Sequence, residues 1–429
     1  MRVLCAADIH IGRTSTKLPA GSNLSVYTCS SAWNRIVECA LSQNIDCIAL
    51  AGDIVDRGNS RFEAIGSLEK GLLALSDTGI QVYAVSGNHD SRILPHIASS
   101  LNMPGFRLLG QDGNWECVED PSGLITLGKS YVGGKVDVNP LNGFPELTRD
   151  HRPVLALLHS SLSSNTDAYA PVSADELKSH TGVIWVVGHV HQTPIIDNQP
   201  SFKIIIPGSP QALSPKETGM HGVYIAELDS DGISTLEQAP ISSIRYENVN
   251  VSLDGVENEL EIPKRVRDSV ASFRTAAFSD DRHLSMLSLR VTFTGRTRLH
   301  GSIRAISKDL ARDDSIDLGD EVRIEKLRIE TGPLMDIESL AKADDVPGRL
   351  ASIILAIDSG TLNDEYTDLF QKCFDCTDKT FAGTIYSLIA FQKTQEQEDQ
   401  DLNAEQVGAI VRTQAFSLLS ELISQRECG

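Results

Sequence analysis

The chain has 429 residues, 41% of them hydrophobic, and a formal net charge of -20 at pH 7. That length exceeds one ordinary core, so two or three domains are expected; no run approaches the roughly 18 apolar residues of a membrane span, and the acidity runs against the basic footprint of proteins that grip nucleic acid by its phosphates. The charge is uneven, because Lys264 to Arg312 holds 11 basic residues against 4 acidic ones.

Taken in order, the chain opens with the apolar run Val3 to Ala7, which stops at Asp8 and reads as a strand rather than a signal peptide. An amphipathic helix carrying Ile36, Val37, Ala40 and Leu41 follows, then the strand Cys47 to Ala51, a helix from Glu63 to Leu75 and the strand Ile80 to Val85. This β-α-β-α-β opening implies parallel strands with right-handed crossovers. Asn102 to Asn142 is punctuated by Gly, Asp and Pro and reads as hairpins. Buried strands Pro153 to Leu158 and Val183 to Val187 come next, with a helix from Ala174 to Ser179 between them. Strands Phe202 to Ile206 and Gly222 to Leu228 are expected to close the sheet, with Asp229 to Gly232 as a hairpin turn. Gln238-Ala239-Pro240 reads as a linker into a small two-layer α/β module (strand 245–253, helix 262–273, strand 285–293, helix 302–311, strand 321–329). From Asp336 onward the periodicity is helical. The eight cysteines are scattered, and Cys5 and Cys47 fall inside expected strands, which suits reduced thiols in a cytoplasm.

Five of these strands end in polar residues of one chemical kind: Asp8-Ile9-His10, Gly52-Asp53, Gly87-Asn88-His89-Asp90, His159, and Gly188-His189-Val190-His191. Open α/β sheets bind ligands at the carboxyl edge, and independent polar caps have no reason to share an edge and a ligand chemistry. The set therefore describes a metal site with two divalent ions. Asp53 is the natural bridge, with Asp8, His10 and His191 for one ion and Asn88, His159 and His189 for the other. Mixed imidazole and carboxylate ligands suit Mn, Fe or Zn better than Mg or Ca, and Mn is the first expectation. His89, in no ligand place, is free to contact the transition state or protonate a leaving oxygen, with Asp90 placed to orient its ring.

These five segments resemble the signatures of the calcineurin-like metallophosphoesterase superfamily, in order, over about the first 240 residues. The opening Met1-Arg2-Val3-Leu4, Ser91, and Ile206-Pro207-Gly208-Ser209-Pro210 followed by Glu217 and Gly222-Val223-Tyr224 are similar to the SbcD-type DNA double-strand-break repair nucleases. The resemblance implies a four-layer α/β/β/α sandwich (1–240) and a small α/β capping domain (241–332); beyond them the helical periodicity suggests a carboxyl-terminal helical region for partner docking (333–429). It implies a DNA nuclease of an SbcCD-like complex, with a separate SMC-like coiled-coil ATPase of the SbcC type and a second copy of this chain as partners, and no membrane. A small-nucleotide phosphodiesterase, a phosphoprotein phosphatase and a catalytically silent scaffold are the rival readings, since one metal centre serves several substrates.

Arg296 and Arg298, in the basic stretch, are the candidate DNA contacts. Gly123 to Ser130 matches the P-loop pattern but lacks the strand before it and the helix after it, so it is read as a hairpin. Cys373 and Cys376 form a lone C-x-x-C with no second pair. Met220-His221 follows a loop that can line the site, so His221 is a further residue to locate. The stripe Val411, Ala415, Leu418 and Leu422 must be buried, either on preceding helices or on a partner; the acidic linker Gln395 to Asp401 favours a docking element.

Overall fold

The computed structural model describes residues 1–19, 21–59, 62–120, 122–147, 152–162, 169–192, 204–229, 232–312, 318–360, 371–372 and 404–427. It divides into two compact units, the first of residues 1–249, 270–290 and 318–326, the second of residues 250–269, 291–317 and 327–429.

The first unit contains two sheets. Strands β1 (Arg2–Ala6), β2 (Cys47–Ala51), β3 (Gln81–Val85) and β4 (Phe106–Leu108) run parallel; β10 (Gly222–Asp229) pairs antiparallel with β1, and β11 (Gly232–Pro240) forms the edge beyond it. The other sheet has the order β5 (Glu116–Glu119), β6 (Ile125–Lys129), β7 (Val154–His159), β8 (Val183–Gly188) and β9 (Ile204–Ile205), parallel except for the β5–β6 pair.

The inner strands β2, β7 and β8 are almost wholly apolar because both of their faces are covered. Along β1 and β2, Cys5, Ala7, Ala49 and Ala51 point to the layer between the sheets, while Leu4, Ala6, Ile48 and Leu50 point the other way. Leu155, Leu157, Ile184 and Val186 enter that middle layer from the second sheet. Small side chains on one sheet thus face large ones on the other, which lets the rows interdigitate at interior packing density. Helices α1 (Cys29–Ser42), α2 (Phe62–Asp77) and α3 (Leu94–Leu101) cover the outer face of the first sheet, and α4 (Ala174–Ser179) covers that of the second. The result is an α/β/β/α sandwich. Local signals set its ends: Thr28 caps α1 by accepting from Ser31 N at 3.1 Å, and Ser173 with Glu176 forms a capping box on α4.

Several details correct the sequence reading. Leu41 is exposed, and α1 buries Trp33 and Ala32 beside Ile36, Val37 and Ala40. Residues 102–142 are not a run of hairpins. Only β5–β6 is one, and it contains the P-loop look-alike as a buried strand, whereas β4 joins the first sheet in parallel. β9 and β10 lie in different sheets, and Gln238 to Pro240 is edge strand rather than linker. Short connections hide such choices, because a three-residue strand carries too little pattern to show its partner.

Strands β12 (Ile244–Ser252), β13 (Met286–Thr297) and β14 (Val322–Pro333) form a three-stranded sheet in that order. Met286 N donates to Ser243 O before β12, and Leu253 N donates to Thr294 O after it, so β12 and β13 run the same way. Helices α5 (Ile262–Asp280) and α6 (Ile303–Arg312) make the crossovers that parallel pairing requires.

In the second unit α7 (Ile337–Leu340), α8 (Val346–Asp358) and α9 (Ala404–Glu427) share a small core of Ala351, Ile354, Ala415 and Leu419. Of the carboxyl-terminal stripe, Ala415 is thus covered within the chain, whereas Leu418 stays 48% exposed. The linker 395–401 and the Cys373/Cys376 pair lie outside the described residues. Because Leu419 is fully buried, Leu419→Ala is expected to lower unfolding stability by about 2–4 kcal/mol. Leu418→Ala should stay within about 0.5 kcal/mol. Urea denaturation of the two variants separates these values.

Candidate metal centre

Each expected strand end delivers its side chain to one place. Asp8, His10 and His191 offer donor atoms within 4.8 Å of one another, as do His10, Asp53 and His89, and Asp8, Asp53 and His159. Asp53 Oδ2 lies 3.8 Å from His10 Nε2 and 3.5 Å from His159 Nε2. Asn88 Oδ1 lies 2.9 Å from His159 Nε2 and 3.2 Å from His189 Nδ1. Three overlapping donor groups thus meet, two of them at the Asp53 carboxylate, and the Asn88 side-chain oxygen joins His159 to His189.

The backbone is bent to make this possible. Asp8, His10 and Asp53 have φ near +50° and His189 has φ +92°, a region that non-glycine residues seldom visit and that costs about 1–3 kcal/mol each. Parallel bonds fix the first two loops against each other: Asp8 N donates to Gly52 O, His10 N to Asp53 O and Ile11 N to Ile54 O. Gly87 has no room for a side chain, because a Cβ there would overlap Asp53 Oδ1.

The electrostatics are those of a buried charge cluster. Burial is the largest influence on both acids. It raises the Asp8 carboxyl above its usual range, whereas at Asp53 it is outweighed by His159, His10 and the His89 amide, and the carboxyl falls. Burial disfavours charge on His159 and His191 as well, but Asp53 and Asp8 raise His159, and Glu217 and Asp8 raise His191.

The donor set fits divalent cations. His10 Nε2 and His191 Nε2 face each other at 3.1 Å, an arrangement of two ring nitrogens that needs either a shared proton or a cation beside both. His10 Nδ1 is buried and makes no hydrogen bond, with Asp56 Oδ1 at 3.5 Å as its nearest counter-charge. Such a concentration of imidazole and carboxylate donors suits a first-row transition ion.

His89 is different. Its side chain is 37% exposed, its Nδ1 lies 3.1 Å from Asp56 Oδ1, and its Nε2 has no hydrogen-bond partner among the described residues. The structure corrects the role expected of Asp90, which does not orient this ring. Both Asp90 oxygens accept from main-chain amides: Oδ1 from Gly87 N at 2.7 Å, Oδ2 from Ile54 N at 2.7 Å and Val55 N at 3.3 Å. A carboxylate already satisfied by three amides is structural, and it ties the loop after β3 to the loop after β2.

The orienting carboxylate is Asp56, held well below the usual range chiefly by its contact with His10. The sequence assigns Asp56 no role; its place three residues after Asp53 is the available signal. Glu217 is likewise a residue that the motifs leave without a task. Its Oε1 lies 3.2 Å from His191 Nδ1 and its Oε2 accepts from Leu213 N at 2.6 Å, an outer carboxylate that aims a ligand imidazole. His221 is buried, with Nδ1 2.8 Å from Ser209 O, and stays out of the cluster. Arg296 does not extend outward as expected, because its guanidinium lies 4.6 Å over the Phe416 ring with Nη1 enclosed, whereas Arg298 is exposed, 3.8 Å from Glu257.

One expectation concerns protons. His159 and His191 hold theirs above the ordinary imidazole range in the metal-free site, and metal ligation needs neutral rings. Titrating Mn²⁺ into metal-free protein at pH 7 should release protons, and affinity should fall as pH drops from 7.5 to 6. Calorimetry in two buffers of different ionisation enthalpy measures the release.

Residues 1–193 match the family described as calcineurin-like phosphoesterase, and residues 246–332 match the metallophosphoesterase YhaO middle domain. The chain is 25% identical to the uncharacterized metallophosphoesterase YhaO of Bacillus subtilis over 63% of this chain and 67% of that protein. It is 22% identical to the DNA double-strand break repair protein Mre11 of Methanopyrus kandleri over 62% of each. To the SbcD component of the nuclease SbcCD of Bacillus subtilis it is 31% identical over 39% of this chain and 44% of that protein. The matched stretches thus span 44 to 67% of these relatives' own lengths. Residues 1–193 thus form a domain of the calcineurin-like phosphoesterase family, hydrolases of phosphoester bonds.

Proposed function

We propose that the protein is a DNA nuclease, a phosphodiesterase that uses two divalent ions, Mn²⁺ foremost, and works as the nuclease subunit beside a separate SbcC-type ATPase. The observation that carries the chemistry is the Asp53 carboxylate between two donor groups, since two close cations need a shared anion. When bound, such a pair neutralises charge at phosphorus and supplies a nucleophile at neutral pH. Asp8, His10 and His191 would hold one ion and Asn88, His159 and His189 the other.

The protein's own groups do the rest. Asp56 holds His89 by Nδ1 and leaves Nε2 open, so the ring can give a proton to a leaving oxygen and hydrogen-bond the equatorial oxygens of the transition state. Glu217 fixes the tautomer of His191.

DNA as substrate is supported by the names of two relatives, Mre11 and the SbcD component of SbcCD, and by the reach of the similarity. The matches to YhaO and Mre11 run over 296 and 289 residues, past the 193 of the phosphoesterase domain. In this reading the segment 246–332 is the capping domain, with Arg298 among its exposed cations. A cytoplasmic place accords with the free cysteines Cys5, Cys29, Cys39, Cys47 and Cys117. Among the described residues no helix is long and apolar enough to cross a membrane.

His89→Ala should lower kcat on DNA with Mn²⁺ by about 10²–10⁴-fold and keep two metals per chain. His189→Ala should lose metal as well. Metal analysis and single-turnover rates on both variants check this, and a wild-type rate from His89→Ala would remove its assigned role. Wild-type protein that hydrolyses small phosphomonoesters but leaves linear and single-stranded DNA intact would overturn the nuclease assignment.

A further inference from the structure

Beside the metal centre lies a cavity of about 230 Å³ that the chemistry above does not use. Its walls are Val132, Val136, Val138, Pro140, Leu158 and Ala170, and His159 forms part of its lining. Two of these valines stand at its mouth, Val132 47% exposed and Val138 53% exposed. Apolar side chains left open next to a site built for a charged phosphate call for an explanation, because a phosphodiester backbone gains nothing from them.

The cavity is tied to the reactive loop. Its wall at Tyr131 exchanges hydrogen bonds with Ser86: Tyr131 N donates to Ser86 O at 3.0 Å, and Ser86 Oγ donates to Tyr131 O at 3.0 Å. Ser91 Oγ donates to Gly133 O at 3.3 Å. These contacts bracket Asn88 and His89 on both sides. The pocket wall and the candidate general acid thus share one hydrogen-bonded frame.

We infer that this cavity is a subsite for one nucleobase of the DNA strand being cut, and that it takes any base. The inference rests on the proposed nuclease function and deepens it. Three observations carry it. The size suits a single ring system: clefts that take drug-sized ligands run to roughly 300–1,000 Å³, and this cavity of about 230 Å³ is smaller. The lining is apolar, which suits the face of a base and excludes the phosphate. Every polar side chain on the wall is already committed. Lys129 Nζ donates to Pro140 O and Asn142 O; Asn139 donates to Glu176 Oε1 and accepts from Leu141 N. Ser130 Oγ donates to Leu109 O, and Tyr131 OH donates to Gly134 O and accepts from Val136 N. The polar groups of this wall are turned to protein partners, so what the pocket chiefly offers is apolar surface, which all four bases can cover, as at sequence-tolerant sites on single strands.

The test fills the cavity from its mouth. Val138→Trp is surface-borne, and its fold is checked by thermal melting and by metal content. Wild-type and variant are assayed with Mn²⁺ on a short oligothymidylate and on the same backbone made of abasic units. The expected result is a kcat/KM at least tenfold higher on the base-bearing strand for wild type, carried mainly by KM, with the ratio near one in Val138→Trp. Changing thymine for adenine, cytosine or guanine should move wild-type kcat/KM by less than about threefold. Equal rates on the two strands in wild type, or an unchanged ratio in the variant, overturn the subsite while leaving the nuclease intact. If wild type cuts neither strand, the nuclease reading fails separately. The pocket is then decided by the affinity for thymidine monophosphate: weaker binding in Val138→Trp supports it, and equal binding overturns it.

Discussion

The structure turns on the burial of Asp53 among imidazoles. An ionised carboxylate taken out of water costs several kcal/mol unless compensating charge and hydrogen bonds surround it, and here His10, His159 and the His89 amide do so from three different loops. Those loops must therefore converge. The two-sheet sandwich makes that convergence cheap, because parallel strands with small side chains in the middle layer carry their carboxyl ends to a common edge. Helices on the outer faces complete the burial. Asp90 then binds the second and third loops by their amides, so the cluster is anchored by hydrogen bonds that do not involve the reactive groups.

The frame separates duties that sequence alone runs together. Four neighbouring acidic or polar residues, Asp53, Asp56, Asn88 and Asp90, occur in two short motifs, and each does something different. Asp53 sits between donor groups, Asp56 faces two histidine rings, Asn88 bridges His159 and His189, and Asp90 satisfies main-chain amides. What distinguishes them is orientation by a few ångströms, which the local bonds between the loops after β1 and β2 decide.

That is also why the sequence was legible in part. The strand ends could be read because buried parallel strands are continuous apolar runs and their polar terminators stand out, as at Ala51-Gly52-Asp53 and Leu158-His159. The α/β/β/α order came from the resemblance that those strand ends carry, not from the runs themselves. The roles of Asp56 and Asp90 could not be read, since both are acids a few residues from a ligand, and only the fold shows which one faces His89. β4 and β11 were missed for a different reason: edge strands are half exposed and take their partners from tertiary context. The terminal helix shows a third limit. Its apolar stripe called for a cover, but what packs on Ala351 and Ile354, some sixty residues earlier, is Ala415 with Leu419, and Leu418 stays exposed.

The left-handed backbone at Asp8, His10, Asp53 and His189 narrows what evolution or engineering can do at this edge. Asp, Asn and His are the non-glycine residues that tolerate such conformations best, and they are also oxygen or imidazole donors. The vocabulary of the site is thus restricted twice, once by coordination and once by chain path. A thiolate or a β-branched side chain would satisfy neither restriction, so this scaffold is poorly suited to recruit softer ions by simple exchange of ligands. Alanine scanning there reports a mixture of lost donor and released strain. Asparagine, which keeps the backbone and changes only the charge, is the cleaner probe of what each carboxylate contributes.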